Sequence, residues 1–374
     1  MKPIRILLVG GGHAHIEVIR QSPRLFNGLN TELILISPEP GAAYSGMLPG
    51  VVAGHYSVDD FLINLPALCE ASGVAWHQGR FESLLPGRRA IVLAGGDELE
   101  FDFISFDIGS TPATLGYSLS AHLLGAKPIT PFLQAWDHFL AEAAGNSGKV
   151  VTVVGAGVAG FELALAMRYR IDAGLGGAGC RWQLVSSGAL LAGHNAFVRR
   201  AGAKALQRLG FDRHFGVSLD RVDSRAEGHM LHLSDGSELR SDFTVLCTPA
   251  APVQDLGASN LPLTRDGFIP VNHCLQVLAH ENAFAVGDIA QLPSPIAKAG
   301  VYAVRQGPVL AANLRKVITG ERLTPFVPQK TFLKLITLGG QQAMASRGWF
   351  YCRGAWVWRW KNQIDTGFME KYQR

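Results

Sequence analysis

Two short apolar runs, each followed directly by closely spaced glycines, dominate the hydrophobic pattern of the chain. Ile4–Val9 precedes Gly10-Gly11-Gly12, and Val150–Val154 precedes Gly155-Ala156-Gly157 and Gly160. A continuous apolar run that ends at a glycine turn is typical of a buried parallel strand leading into a helix. Because the N–H groups and the dipole at the start of such a helix attract a pyrophosphate, each segment predicts a dinucleotide-binding cradle.

The pattern after the first cradle predicts a helix over residues 15–25 and a strand over residues 32–36. In a dinucleotide fold, the end of this second strand offers an acid to the adenosine ribose. Here the tip is Ser37-Pro38-Glu39, in which Ser37 can donate one hydrogen bond and Glu39 can accept two. His15 stands where the third glycine of the fingerprint is expected, so the first cradle departs from the common pattern.

Three further apolar segments end at small-residue turns. A strand that stops at a small-residue turn is expected within residues 103–112 and another within residues 243–249. A third segment, over residues 281–286, runs into Gly287-Asp288. A strand that returns to the first sheet would aim the Asp288 carboxylate at a ribityl chain. Five features follow one another along the chain: the first cradle, a strand with its turn, the second cradle, another strand with its turn, and Gly-Asp. This order is a more specific sign of a two-dinucleotide protein than any single feature.

Composition supports an α/β protein with more than one domain. A chain of 374 residues is too long for one ordinary core, and 43 glycines fit many strand-to-helix turns. The net charge of +4 is small and predicts no nucleic-acid partner. Residues 150–167 carry one charge, Glu162, yet their glycines favour a strand, turn and helix over a membrane span.

The five cysteines are widely separated, and no pair has the short spacing of a redox dithiol or a zinc knuckle. No metal site is predicted. The cysteines are interpreted as structural thiols of a reducing compartment.

Two segments are the most distinctive marks for comparison with known families. They are Tyr44-Ser45-Gly46-Met47-Leu48-Pro49-Gly50 and residues 298–307. The chain resembles the two-dinucleotide flavoprotein family of pyridine nucleotide oxidoreductases. Within it the chain is similar to type II NADH dehydrogenases and, more closely, to the flavoprotein module fused to selenide water dikinase. The resemblance implies two Rossmann-like domains, the first interrupted by the second. The expected segments are 1–115 and 251–329 for FAD, 116–250 for NAD(P)H, and a C-terminal element over 330–374.

The resemblance also implies the cofactors, FAD in the first domain and NADH or NADPH in the second. The residues expected to bind FAD are Gly10, Gly12, His13, Ala14, Ser37, Glu39, Met47, Pro49, Gly109 and Asp288. Those expected to bind the nicotinamide nucleotide are Gly155, Gly157, Gly160 and Glu162. No acid follows the strand over residues 182–185, which leaves NADH and NADPH both open. Arg199 and Arg200 could serve a 2′-phosphate or lie on a solvated helix face.

Disulfide reductases of this superfamily carry a cysteine pair where this chain has residues 42–49, which contain none. Electrons are therefore expected to leave the flavin directly for an acceptor. The resemblance implies a quinone acceptor, with Gln306, Lys298 and Tyr44 as the candidate catalytic residues. Two alternatives stay open. One is a soluble reductase of a selenium or sulfur species, and the other is a flavin-binding protein with a vestigial nicotinamide site.

The segment after residue 330 combines tryptophans with cations. Trp349, Trp356, Trp358 and Trp360 alternate with Arg347, Arg353, Arg359 and Lys361. This composition suits a membrane interface, and it predicts a cytoplasmic protein held peripherally on the inner face of the cell membrane. The alternative is an aromatic cluster packed on the FAD domain or at a homodimer contact. A helix does not separate the tryptophans cleanly, whereas a strand would place Trp356, Trp358 and Trp360 on one face.

Overall fold

The computed structural model describes residues 2–114, 116–174, 179–225, 228–253 and 256–373. Helices and parallel sheets alternate along the chain, and the predicted α/β fold class is confirmed. The helices are α1 His13–Leu25, α2 Leu48–Val52, α3 Leu65–Ala71, α4 Ile129–Gly145, α5 Val158–Gly174, α6 Ala196–Arg208, α7 Gly300–Thr319 and α8 Ala355–Gln373.

The strands are short and numerous. They are β1 Ile4–Val9, β2 Thr31–Ser37, β3 Gly41–Ala43, β4 Leu62–Asn64, β5 Ala75–Gln78, β6 Phe81–Leu85, β7 Ala90–Leu93, β8 Glu98–Glu100, β9 Phe103–Phe106, β10 Thr111–Pro112, β11 Leu123–Gly125, β12 Val150–Val154, β13 Arg181–Ser186, β14 Phe211–Phe215, β15 Leu219–Arg225, β16 Gly228–Leu233, β17 Glu238–Ser241, β18 Phe243–Leu246, β19 Ala250–Ala251, β20 Ile269–Pro270, β21 Ala283–Ala285, β22 Ala290–Gln291, β23 Lys334–Leu338, β24 Gly340–Arg347 and β25 Phe350–Gly354.

The first five-stranded sheet has the parallel order β21-β9-β1-β2-β5. β1 lies at its centre, and Leu7 is paired with Ile34 on one side and Ile104 on the other. The predicted first helix and the strand of residues 32–36 are confirmed as α1 and β2, and the segment over residues 103–112 begins with the strand β9. Only Ala283–Ala285 of the third predicted segment forms a strand, β21, which joins the first sheet as expected.

The second five-stranded sheet has the parallel order β11-β18-β12-β13-β14, with β12 at its centre. All its strands lie in the chain between β9 and β21, so this sheet is an insertion in the first domain. The segment that leaves the first domain and the segment that returns to it pair as β10 and β19, where Thr111 lies opposite Ala251. The segment boundaries given above remain predictions, and three of their end residues, 1, 115 and 374, lie outside the described ranges.

Residues 150–167 form β12, a glycine turn and the first part of α5, as predicted. Among the described helices, none combines the length and the apolar character needed to cross a bilayer.

The C-terminal element is an antiparallel sheet, β23-β24-β25, followed by α8. The strand interpretation of the tryptophans is wrong, since Trp356, Trp358 and Trp360 all lie on α8. Four residues spaced by four along α8 face the protein and are buried: Val357, Lys361, Asp365 and Met369. Because this helix buries one face against the rest of the chain, it is a packed part of the fold.

Candidate active site

The first cradle packs directly on Asp107, which follows β9. Gly10 has φ +99°, and a Cβ there would lie 2.4 Å from the carbonyl oxygen of Asp107. A Cβ on Gly12 would lie 2.1 Å from the Asp107 carboxyl carbon. Only glycine fits either position, because the first needs a left-handed backbone and both meet Asp107.

Asp107 also binds the start of α1, which the sequence did not predict. Its Oδ2 accepts hydrogen bonds from the backbone N–H of Ala14 at 2.8 Å and of His15 at 3.2 Å. Burial raises the pKa of Asp107 to about 7, although these two bonds act in the opposite direction. The N–H of Ala14 is thus occupied by a carboxylate of the protein itself.

His15 replaces the third glycine of the first cradle without opening the packing. Its ring is fully buried, with Nδ1 2.7 Å from the Gly10 carbonyl and Nε2 2.8 Å from Ser105 Oγ. Since a carbonyl only accepts, Nδ1 donates to Gly10 and Nε2 accepts from Ser105. In the common fingerprint a glycine at this position lets the helix pack closely on the strand. Here the imidazole instead connects α1 to β9 and to the glycine turn by hydrogen bonds.

The second cradle has the geometry of the fingerprint in all three glycines. Gly155 has φ +117°, and a Cβ there would lie 2.2 Å from the Cys247 carbonyl oxygen. A Cβ on Gly160 would lie 1.9 Å from the Gly155 carbonyl oxygen, so this glycine permits close approach of helix and strand. A Cβ on Gly157 would meet no atom within 4 Å, so the backbone is open at this residue, where a pyrophosphate would approach it.

A ring cluster lies beside the first cradle. Tyr44 and Phe368 of α8 stack at 4.3 Å, and the His13 ring lies 5.6 Å from Tyr44 and 5.8 Å from Phe368. His13 Nε2 is buried and has no hydrogen-bond partner within the described part of the chain. Burial lowers the pKa of His13 to about 4, with Lys127 adding to the effect and Asp288 opposing it. The neutral imidazole therefore keeps one unpartnered ring nitrogen beside the first cradle, and a bound cofactor atom would satisfy it.

Asp288 is held at the same end of the first sheet. Ser110 Oγ donates to its carboxylate at 3.0 Å, and Lys127 Nζ lies 3.5 Å from it. Gly109, one residue before Ser110, has φ +73° and makes the turn after β9. Asp288 therefore lies beside the residues that follow β9, and its contact with a ribityl chain stays a prediction.

The remaining predicted FAD and acceptor residues have their own internal partners. Ser37 Oγ donates to the carbonyl of Glu39 at 2.9 Å, while the Glu39 side chain is exposed. The buried Gln306 accepts from the Gly287 N–H at 2.6 Å. Lys298 donates to the Ala290 carbonyl at 2.6 Å, and burial lowers its pKa to about 8 although Asp288 opposes this.

A buried polar cluster, consisting of Tyr44, Glu162, Lys361 and Asp365, lies where α8 meets both domains. Lys361 donates to Asp365 and, at 2.7 Å, to the Gly46 carbonyl. Burial raises the pKa of Asp365, and the Lys361 charge and hydrogen bonds from Lys361 and Tyr44 act against it. Lys361 was expected at a membrane surface, but its side chain is buried within the protein, which corrects that expectation.

Glu162 faces the same cluster from the start of α5. Its Oε1 accepts from the Thr337 N–H at 2.7 Å and from Thr337 Oγ1 at 3.0 Å. Burial raises the pKa of Glu162, and the Lys361 charge is the largest effect that opposes it. Met47 and Pro49, which follow Gly46 in the chain, are both buried, and their contact with FAD stays a prediction.

The family profile described as pyridine nucleotide-disulphide oxidoreductase matches residues 4–307. The chain belongs to this family. It is 24% identical over 362 residues to ferroptosis suppressor protein 1 of Xenopus laevis, covering 93% of this chain and 90% of that protein. It is 25% identical over 384 residues to the mitochondrial sulfide:quinone oxidoreductase of Schizosaccharomyces pombe, covering 91% and 80%.

Among solved structures, NDH2 of Plasmodium falciparum in complex with NADH superposes with a TM-score of 0.78. The match covers 99% of this chain and 97% of that one, at 12% identity, and it shows a shared fold. Family membership confirms the predicted cofactors, FAD and a nicotinamide nucleotide. The open backbone at Gly157 and the unpartnered His13 Nε2 fit such ligands.

The choice between NADH and NADPH stays open at the residue level. β13 ends at Ser186, whose Oγ accepts from the Gly188 N–H at 3.3 Å, so no carboxylate stands there. Arg199 and Arg200 are both exposed on α6.

Proposed function

We propose that this flavin oxidoreductase passes electrons from NADH or NADPH to a quinone without a redox-active disulfide. The observation that carries the proposal is the buried polar cluster of Tyr44, Glu162, Lys361 and Asp365. It adjoins the segment over residues 42–49, where disulfide reductases carry their cysteines. In this chain Tyr44 stands within that segment, and Lys361 donates a hydrogen bond to its Gly46 carbonyl.

The thiols of the chain support direct transfer to an acceptor. Burial raises the pKa of Cys69 and of Cys247 to about 12, and it raises the pKa of Cys180 and of Cys352 as well. A thiol relay needs a thiolate, so these four cysteines are poorly suited to it. Among curated relatives, the yeast sulfide:quinone oxidoreductase has a quinone acceptor according to its name, which also supports the proposal.

The chemistry that FAD supplies when bound is hydride acceptance from the nicotinamide and release of electrons. A quinone that takes up two electrons also takes up two protons. Lys361 is hydrogen-bonded to Asp365 and to the Gly46 carbonyl, so an ammonium proton is held at a defined place. One of these protons arrives with the hydride, and Lys361 would supply the other and regain it from solvent. Asp365, which accepts from Lys361, would hold this donor in place.

We also propose that the exposed side of α8 docks on a membrane, where a lipid-soluble quinone resides. Trp356 and Trp360 stack at 6.5 Å on this side, and Ile364 continues it one turn later. Trp349, in the turn between β24 and β25, is 87% exposed. Arg347, Arg353 and Arg359 are exposed around them and can meet anionic headgroups.

The deciding experiment is anaerobic mixing of the FAD-loaded protein with NADH and, separately, with NADPH, followed through the visible absorbance of the flavin. We expect rapid bleaching by one of them, and then rapid recovery on addition of a soluble quinone. Recovery with selenite or polysulfide but not with quinone would favour a reductase of selenium or sulfur species. Absence of bleaching with both nucleotides would overturn the proposal in favour of a vestigial nicotinamide site.

A further inference from the structure

Two histidines and a glutamate converge on the inserted domain, away from both cradles. His138 and Glu142 lie one helical turn apart on α4, and His122 comes immediately before β11. His138 Nε2 is 3.2 Å and His122 Nε2 is 3.6 Å from Glu142 Oε1. The ligand atoms of all three side chains lie within 4.8 Å of one another. Tetrahedral Zn²⁺, with bonds of about 2.0–2.2 Å, places its ligand atoms roughly 3.3–3.6 Å apart.

The hydrogen bond between His122 and the backbone leaves Nε2 of this histidine available to bind a metal. His122 Nδ1 is 3.1 Å from the Asp242 carbonyl, which can only accept, so Nδ1 carries the proton. The lone pair of His122 therefore lies on Nε2, which faces Glu142. Lys149 Nζ lies 3.6 Å from the other carboxylate oxygen, Glu142 Oε2. An imidazole oriented by a backbone carbonyl is the usual support of a metal-binding histidine.

A cavity of about 740 Å³ adjoins the cluster, with His122 and Glu142 in its wall. His229 also lines it, is only 5% exposed, and has a buried Nδ1 without a partner among the residues that the structure describes. Three protein ligands leave one position of a tetrahedral ion open toward this space.

We propose that His122, His138 and Glu142 bind a divalent transition-metal ion, for which Zn²⁺ is the best match. Two imidazoles and one carboxylate favour Zn²⁺ over Mg²⁺ and Ca²⁺, which prefer oxygen ligands. The site lies at the amino ends of the second parallel sheet, beside Lys149 and Asp242, whereas the second cradle lies at the carboxyl end of β12. Metal binding is therefore independent of the proposed electron transfer.

The test is calorimetric titration of ZnCl₂ into FAD-loaded, full-length protein that carries no affinity tag and has been freed of metal with a chelator. We expect one equivalent to bind the wild type. His122→Ala, His138→Ala and Glu142→Gln should each weaken binding at least about tenfold. His273→Ala, which removes an exposed histidine from another part of the chain, should bind like the wild type.

Thermal unfolding provides the second measurement. Zn²⁺ should raise the melting temperature of the wild type and of His273→Ala, and it should leave the three ligand variants unchanged. Absence of Zn²⁺ binding by the wild type, or equal binding by the ligand variants, would overturn the proposal. Flavin bleaching by NADH or NADPH should be the same in all variants, so a failure here is distinct from a failure of the proposed function.

Discussion

The hydroxyl of Tyr372 donates a 2.7 Å hydrogen bond to the carboxylate of Glu17, across 355 residues of sequence. Lys371 Nζ lies 2.8 Å from the same oxygen, and Arg20 binds the other one at 2.8 Å. Burial by itself raises the pKa of Glu17, but hydrogen bonds from Arg20, Lys371 and Tyr372 outweigh it and lower the pKa to about 2. This contact fastens the end of α8 to α1, the helix of the first cradle.

Tyr372→Phe should therefore loosen α8. It removes one hydrogen bond from a buried, charged carboxylate, and we expect a loss of about 1.5–3 kcal/mol in the free energy of unfolding. Urea unfolding measures that loss, and hydrogen exchange should show faster exchange along α8. Tyr169→Phe is the matched control, because the Tyr169 hydroxyl has no hydrogen-bond partner among the described residues. Equal effects of the two substitutions would contradict the role of the Glu17 contact.

Lys361→Met should separate the two halves of the catalytic cycle. Reduction of the flavin by NAD(P)H should proceed as in the wild type, since Lys361 lies on α8 and not on the glycine turn of the second cradle. Reoxidation by quinone should slow by about 10²-fold or more, the usual contribution of a positioned proton donor. Stopped-flow spectroscopy resolves both steps, and Arg359→Met on the exposed side of α8 is the control. Equal slowing of both steps would place Lys361 in a structural role instead.

Two glycines of the second cradle should respond differently to alanine. Gly160→Ala places a Cβ 1.9 Å from a backbone oxygen and should cost about 1–3 kcal/mol or more of folding stability. Gly157→Ala meets no atom within 4 Å, so the stability should change little, whereas affinity for NAD(P)H should fall. Urea unfolding and nucleotide titration measure the two effects. Unchanged nucleotide affinity in Gly157→Ala would argue against pyrophosphate binding at this turn.

His15 should make the protein less stable in mild acid. Burial lowers its pKa from 6.5 to about 4, although the hydrogen bond to Gly10 opposes this. Between these pH values the unfolded chain binds a proton that the folded chain does not, so the free energy of unfolding falls as the pH decreases. The loss from pH 6.5 to pH 4 is up to about 3 kcal/mol and is absent above this range.

The comparison of wild type with His15→Gln isolates this effect. Asp107, whose pKa is raised by burial to about 7, gives the opposite slope, but it is present in both proteins. The difference between their unfolding free energies should therefore change steadily from pH 6.5 to pH 4. A difference that is constant over this interval would show that His15 titrates normally in the folded protein.

The exposed side of α8 should bind anionic membranes. The double substitution Trp356→Ser and Trp360→Ser should reduce cosedimentation with phosphatidylserine vesicles at least about tenfold, because indole rings favour the interface. Leu278→Ser removes an exposed apolar side chain elsewhere and should have no effect. If the wild type does not bind vesicles but elutes as a dimer that the double variant dissociates, the face is a homodimer contact.

Local features of the chain were enough to predict both cradles. A strand, a tight turn and a helix follow one another within about twenty residues, and the left-handed backbone at Gly10 and Gly155 needs glycine whatever the rest of the fold does. The return of β21 to the first sheet was predictable because Gly287-Asp288 follows it closely in the chain. For Asp107, the only sequence signal was a carboxylate directly after a buried strand.

The buried polar cluster and the metal-ligand cluster depend on tertiary structure. Lys361 was assigned to an interfacial stretch by its tryptophan neighbours, yet it contacts Gly46, 315 residues earlier in the chain. His122 precedes a strand while His138 and Glu142 lie on α4, so no short spacing marks the three together. The α/β fold and the two nucleotide cradles follow from the amino-acid sequence, because local backbone and hydrophobic patterns specify them. Only the packing of α8 and of α4 decided which distant charges meet, because that depends on which faces the folded chain buries.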